Sequence, residues 1–128
     1  MTSPDAVPPG GRPDWAPPCT VTVEQRESGA IVLHVSGEID LVTAPHLEES
    51  VTRALGERPK VLVIDLTEVG FLASAGMSVL VAAHNQAGEH TDMRLVASGS
   101  ATFRPMELTG LTQALAIYPT LRDALDEA

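Results

Sequence analysis

Residues 61–81, VLVIDLTEVGFLASAGMSVLV, decide the fold. Val61, Leu62, Val63 and Ile64 form an unbroken aliphatic run that ends at Asp65, the pattern of a strand covered on both faces. Such a strand belongs in the middle of a sheet. From Ser74 the spacing becomes helical, with Met77, Leu80, Val81 and His84 at helical intervals. Ala73, Ala75 and Gly76 keep the entry of that helix free of bulk. Strand, short connector and helix start therefore come in order. The first free N–H groups of the helix, at the positive end of its dipole, would surround the Ser74 hydroxyl and favour an anion there. This corner is the expected functional end.

Upstream, Val21 and Val23 alternate with Thr22 and Glu24, Ser28-Gly29 marks a turn, and Ile31, Leu33 and Val35 alternate with Val32, His34 and Ser36. That pattern predicts a hairpin, with His34 on its less apolar face. Gly37-Glu38-Ile39-Asp40 is expected to turn the chain out of the hairpin. Thr43 is placed to cap a helix that carries Ala44, Leu47, Val51, Ala54 and Leu55 on one face, with Pro45 in its first turn. A strand, helix, strand order of this length implies a parallel crossover, so the sheet is mixed. Downstream, Met93 to Val96 supplies another short strand. A helical stretch over Thr102 to Leu108 would bury Phe103, Met106 and Leu108 and stop at Gly110. Leu115 to Tyr118 reads as an edge strand, and Leu121, Ala124 and Leu125 as the inner face of a terminal helix. The fold class is α/β, a small mixed sheet of four to five strands with helices packed against it.

The sequence of 128 residues suits one domain with a real core. Six prolines and two glycines between Met1 and Pro18 deny both helix and sheet bonding, so residues 1–18 are expected to be a disordered tail and residues 19–128 the folded domain. Trp15, within that tail, receives no function. A net charge of −9 disfavours nucleic acid and anionic membrane surfaces, which would repel the chain. A protein partner or small ligand suits it better. No run is apolar enough for a membrane span, and the N-terminus lacks a secretory pattern, so membrane insertion is not expected and the location is read as cytoplasmic. Cys19 is the only cysteine, which leaves neither an internal disulfide nor a cysteine metal cluster.

Enzyme chemistry needs an acid, base, nucleophile or metal brought together, and the sequence offers little to converge. Leu72 stands where a nucleophile elbow would need glycine two residues before Ser74. No Gly-Lys-Ser or Gly-Lys-Thr is present for a phosphate-cradling loop, and no histidines have metal spacing. The expectation is a binding protein, with no catalytic residues, no metal and no cofactor.

Three segments together carry a resemblance: Gly37-Glu38-Ile39-Asp40, Val61 to Leu66, and Phe71-Leu72-Ala73-Ser74-Ala75-Gly76-Met77. From about Thr20 onward the chain resembles the STAS domain family, named for sulfate transporters and anti-sigma factor antagonists, and its antagonist branch in particular. In that branch the last segment usually reads Asp-Ser-Ser-Gly or Asp-Ser-Thr-Gly. A hydroxyl within it is phosphorylated by a kinase that is also the anti-sigma factor, and the unphosphorylated antagonist binds that kinase and frees a sigma factor. Here Ala73 stands in place of the acidic residue and Ala75 in place of the second hydroxyl, leaving Ser74 alone.

The resemblance implies partner switching with an anti-sigma factor kinase, Ser74 as the phosphorylation candidate, and Asp40, Leu72, Ala73, Ser74, Ala75, Gly76, Met77 and Ser78 as the partner-binding residues. Ser74 has a second reading as a helix N-cap. Asp40 either orients the hydroxyl or a magnesium nucleotide on the partner, or simply holds its loop. Gly76 is expected to permit close approach, since the connector must turn sharply into the helix and the partner must reach the backbone there. The alternative function is that of a STAS accessory subunit docked on a membrane transporter ATPase, without phosphorylation.

Overall fold

A computed structural model describes residues 19–126. The expected tail and Trp15 lie outside the described residues. The strands are β1 (Thr20–Gln25), β2 (Ala30–Ile39), β3 (Val61–Leu72), β4 (Asp92–Val96) and β5 (Ala116–Tyr118). They form one sheet in the order β1-β2-β3-β4-β5, antiparallel between β1 and β2 and parallel elsewhere. The helices are α1 (Ala44–Gly56), α2 (Ser74–Ala87), α3 (Phe103–Leu108) and α4 (Leu121–Leu125). Arg26 donates its N–H to Ala30 O at 2.9 Å and Gly29 donates to Arg26 O at 3.0 Å, closing a three-residue loop. Gly29 has φ of 92°, a left-handed conformation that side chains with a Cβ seldom adopt.

The central strand is apolar throughout its first half because it is covered twice. Leu62 and Ile64 join Leu33, Val35 and Leu95 in the core beneath α1 and α2, against Leu47, Val51 and Leu80. Val61 and Val63 face the other way, with Ala30, Val32 and Val96, against Ala124, Leu121 and Leu125 of α4. The expected inner face of α1 is buried at all five positions.

Several expectations need correction. Gly37 to Ile39 do not form a turn: β2 continues through them, and the chain leaves the sheet only at Asp40. Residues 66–72, expected as a connector, are the second half of β3. Two register shifts, between His34 and Ser36 and between Gly37 and Glu38, separate the pairs His34–Asp65, Ser36–Glu68 and Glu38–Phe71. Bulges of this kind break the alternation by which a strand is recognised. In α2 the buried residues are Gly76, Val79, Leu80, Ala83 and Ala87, whereas Met77 and Val81 are half-buried and His84 is exposed. The helix therefore turns a face of Val79 and Leu80 with the small residues Gly76, Ala83 and Ala87 toward the sheet, so that of the four residues expected on its inner side only Leu80 is fully buried. In α3 Met106 is buried and Phe103 half-buried, but Leu108 is 71% exposed because a six-residue helix has only one covered face.

β4 carries a charge that its apolar reading conceals. Arg94 is buried beneath α4, donating to Ala124 O at 2.6 Å and pairing with Asp92 at 2.8 Å, with its guanidinium 5.8 Å from the Tyr118 ring centroid. Its bond to the helix carbonyl ties α4 to the sheet.

Candidate functional site

The parallel strands β2 and β3 end side by side, with Ile39 opposite Leu72. The turn after β2 and the helix entry after β3 together form the corner. In the first, Asp40 Oδ1 accepts the N–H groups of Val42 and Thr43, both at 2.9 Å. Thr43 occupies the N-cap position of α1 without capping it. Its hydroxyl instead accepts from Asp40 N at 2.9 Å and donates to Glu38 O at 2.8 Å. Asp40 and Thr43 thus lock the turn between them, and of the two roles open to Asp40 these contacts are those of a loop holder.

After β3, Ala73 donates its N–H to Ile39 O at 2.8 Å, which fastens the entry of α2 to the end of β2. Ala73 is the N-cap residue, extended at φ −83° and ψ 169°, and has no side-chain oxygen to offer the helix. Its carbonyl accepts from Gly76 at 3.0 Å and Met77 at 3.1 Å. Ser74 is consequently the first residue of the helix and not its cap. The hydroxyl sits on an exposed residue at the opening turn of a 14-residue helix, whose first N–H groups have no intrahelical acceptor.

The eight residues expected at the partner surface divide by depth. Ser74 and Ser78 are exposed, while Asp40, Ala73, Ala75 and Met77 are half-buried. Leu72 and Gly76 are buried and shape the surface from beneath. A Cβ on Gly76 would lie 2.5 Å from Ile39 Cγ2 and 2.7 Å from Leu72 Cδ1, so this glycine is required by the close approach of α2 to the two strand ends. The close approach expected at Gly76 is thus that of the helix entry to the ends of β2 and β3.

Three residues to which the sequence alone assigned no role belong to the same end of the sheet. Leu41 is 71% exposed, Val42 45% and Phe71 49%. Leu41 and Val42 ride on the Asp40 turn, and Phe71 precedes the last residue of β3. For Leu41 and Val42 the signal was available, since large apolar residues in a turn have no core to enter. Ser74 itself lines a groove of about 440 Å³ along α2, with Met77, Ser78, Val81, Thr109 and Leu111 among others. The corner thus combines one exposed hydroxyl at a helix start with exposed apolar side chains at the same end of the sheet and an apolar groove along α2. That is the character of a docking surface. Among the described residues no group of histidine, cysteine and carboxylate side chains has the arrangement of a metal site. No helix among them is long and apolar enough to cross a membrane.

Known proteins share this architecture and sequence. The chain is 39% identical over 125 residues to the anti-sigma-F factor antagonist RsfB of Mycobacterium tuberculosis, covering 98% of this chain and 92% of that protein. It is 32% identical over 99 residues to the anti-sigma-B factor antagonist of Listeria monocytogenes, covering 77% and 87%. The crystal structure of an anti-sigma factor antagonist from Mycobacterium paratuberculosis superposes with a TM-score of 0.81 at 41% identity, over 99% of this chain and 97% of that one. The family profile of the STAS domain matches residues 21–124, which include every strand from Val21 onward and the Asp40–Ser74 corner, and the chain accordingly belongs to the STAS domain family.

Proposed function

We propose that this chain is an anti-sigma factor antagonist, which binds an anti-sigma factor through the Asp40–Ser74 corner and thereby releases a sigma factor. The observation that carries the reading is the surface itself: Ser74 exposed on the first turn of α2, with exposed Leu41, Val42 and Phe71 at the same end of the sheet. Its activity is binding, and the partner's kinase activity supplies the chemistry. Ser74 is the phosphate acceptor, because Ala73 and Ala75 leave it the only hydroxyl between Leu72 and Met77.

The switch follows from charge. A phosphate on Ser74 adds up to about two negative charges and three acceptor oxygens. In the free protein the open N–H groups and the positive end of the α2 dipole stabilise that anion. In the complex the same charge would have to be buried against a surface matched to a hydroxyl and apolar side chains, so association weakens. The two states differ in their affinity for the partner, which a population switch requires.

The test uses the cognate anti-sigma factor, captured from the native cell on this chain, with ATP. Wild type should gain one phosphate, mapped to Ser74 by mass spectrometry. Ser74→Ala should gain none and still bind, whereas Ser74→Asp should bind more weakly by calorimetry. Phosphate on Thr67 or Ser78 instead, or full affinity in Ser74→Asp, would remove Ser74 from the switch. Absence of any binding by the unphosphorylated chain would overturn the antagonist reading.

A further inference from the structure

β1 is one edge of the sheet, and the two edges are built differently. β5, at the far edge, has three residues and is stopped by Pro119. β1 has six, Thr20–Gln25, with no proline, no lysine and an unbroken register against β2. Short strands, prolines, lysines and bulges are the usual means of keeping an edge from pairing. β1 has none of them. The charge of its single acid is also met from within the chain, for Glu24 binds Arg26 at 2.7 Å and His34 at 2.8 Å.

The hairpin fixes which backbone groups face outward. Arg26 donates its N–H to Ala30 of β2, so by antiparallel alternation Glu24, Thr22 and Thr20 also turn their N–H and C=O groups inward. Val21, Val23 and Gln25 turn theirs out, and among the described residues no strand pairs with them. The side chain of Val23, midway along this edge, is 53% exposed.

We infer that β1 pairs with β1 of a second copy of this chain, antiparallel, about a two-fold axis through Val23. A two-fold pairing is self-complementary: if residue i meets residue j, j meets i. Val23 then meets Val23 of the second copy, and Val21 meets Gln25 in both directions, so all three outward residues are satisfied. Thr22 falls opposite Glu24, which places a hydroxyl beside each carboxylate and sets no like charges directly opposite. Shifting the register by two residues would leave one outward residue without a partner in β1. The axis reverses the strand direction, so the two Ser74 corners point to opposite ends of a ten-stranded sheet and both stay open. The contact is confined to one strand, well under the roughly 1,000 Å² of a stable interface, and each copy carries a net charge of −9. The dimer is therefore weak, concentration-dependent and strengthened by salt.

Sedimentation equilibrium of the full chain up to about 1 mM, the range of weak associations, is the direct test. Wild type should dimerise with concentration, and hydrogen exchange at the Val21 and Val23 amides should slow as it does. Val23→Lys should weaken dimerisation at least tenfold while leaving the circular dichroism and melting temperature unchanged. Should that variant fold poorly, Val23→Pro, which an edge strand tolerates where the lost N–H faces outward, should have the same effect on assembly. A chain that remains monomeric over the whole range overturns the inference. So does equal dimerisation by the folded variants, or protection of both amides at high dilution, which would mean that the chain's own N-terminal residues occupy the edge.

Discussion

An added Cβ on Gly76 would meet Ile39 and Leu72 well inside van der Waals contact, and neither can retreat, being 0% and 3% exposed. Gly76→Ala is therefore expected to destabilise the fold by about 1–3 kcal/mol, the ordinary cost of overfilling a packed core, measurable as a lower midpoint in urea. A larger residue would do more. Loss of partner binding in such a variant would follow from the displaced helix, and it would not locate the interface. This residue also marks what the sequence could show at the smallest scale. Ala73, Ala75 and Gly76 announced a helix entry free of bulk. That Gly76 faces Ile39, 37 positions earlier, depends on a pairing that no local pattern contains. The same holds for Thr43. A threonine before a helical pattern reads as a cap, yet its hydroxyl serves the Asp40 turn because that turn folds back within reach.

At the scale of elements, the exposed half of the sheet is joined across three strands by His34, which meets Glu24 of β1 at 2.8 Å and Asp65 of β3 at 3.3 Å. The hydrogen bond from His34, with the Arg26 guanidinium, holds the Glu24 carboxyl below its ordinary value of 4.5, against a smaller opposing effect of burial. A carboxylate with a depressed value in the folded chain stabilises it above the ordinary value. That contribution is lost as the pH falls through the depressed one. Glu24→Gln should thus lower stability at neutral pH and flatten its fall below pH 4.5, as followed by urea unfolding across the acid range. Parallel acid limbs in the two proteins would show that the edge strand takes no such support from Glu24. The hairpin that makes this contact was plain from alternation. The second half of β3 was not, since paired bulges leave Leu66, Val69 and Leu72 buried at intervals of three, a spacing that suits neither a regular strand nor an isolated turn. α4 was recognised by Leu121, Ala124 and Leu125, while its tie to the sheet through Arg94 joins residues 30 positions apart, which no local pattern contains.

For the molecule as a whole, binding free energy has to come from surface that the core did not use, and the large apolar side chains at the Ser74 end are the obvious reserve. Leu41, Val42 and Phe71 are all at least 45% exposed, and the residues beneath them, Ile39 and Leu72, are fully packed. Aromatic side chains in a docking centre contribute far more than their neighbours, because their burial is large and their ordering costs little. Phe71→Ser should therefore weaken partner binding by tenfold or more, equivalent to about 1.4 kcal/mol. The folded state should change by only about 0.5 kcal/mol, as expected of a half-exposed side chain outside the core. Lys60→Ala, at the opening end of β3 and far from the corner in strand order, should bind as wild type does. Calorimetry on wild type, Phe71→Ser, Ser74→Asp and Lys60→Ala separates the outcomes. If Phe71→Ser binds normally while Ser74→Asp binds weakly, the partner approaches from the Met77–Leu111 groove, and Leu41, Val42 and Phe71 remain solvent-facing in the complex. If Phe71→Ser and Ser74→Asp both weaken binding, in variants whose unfolding midpoints are unchanged, the docking surface spans the ends of β2 and β3 and the first turn of α2.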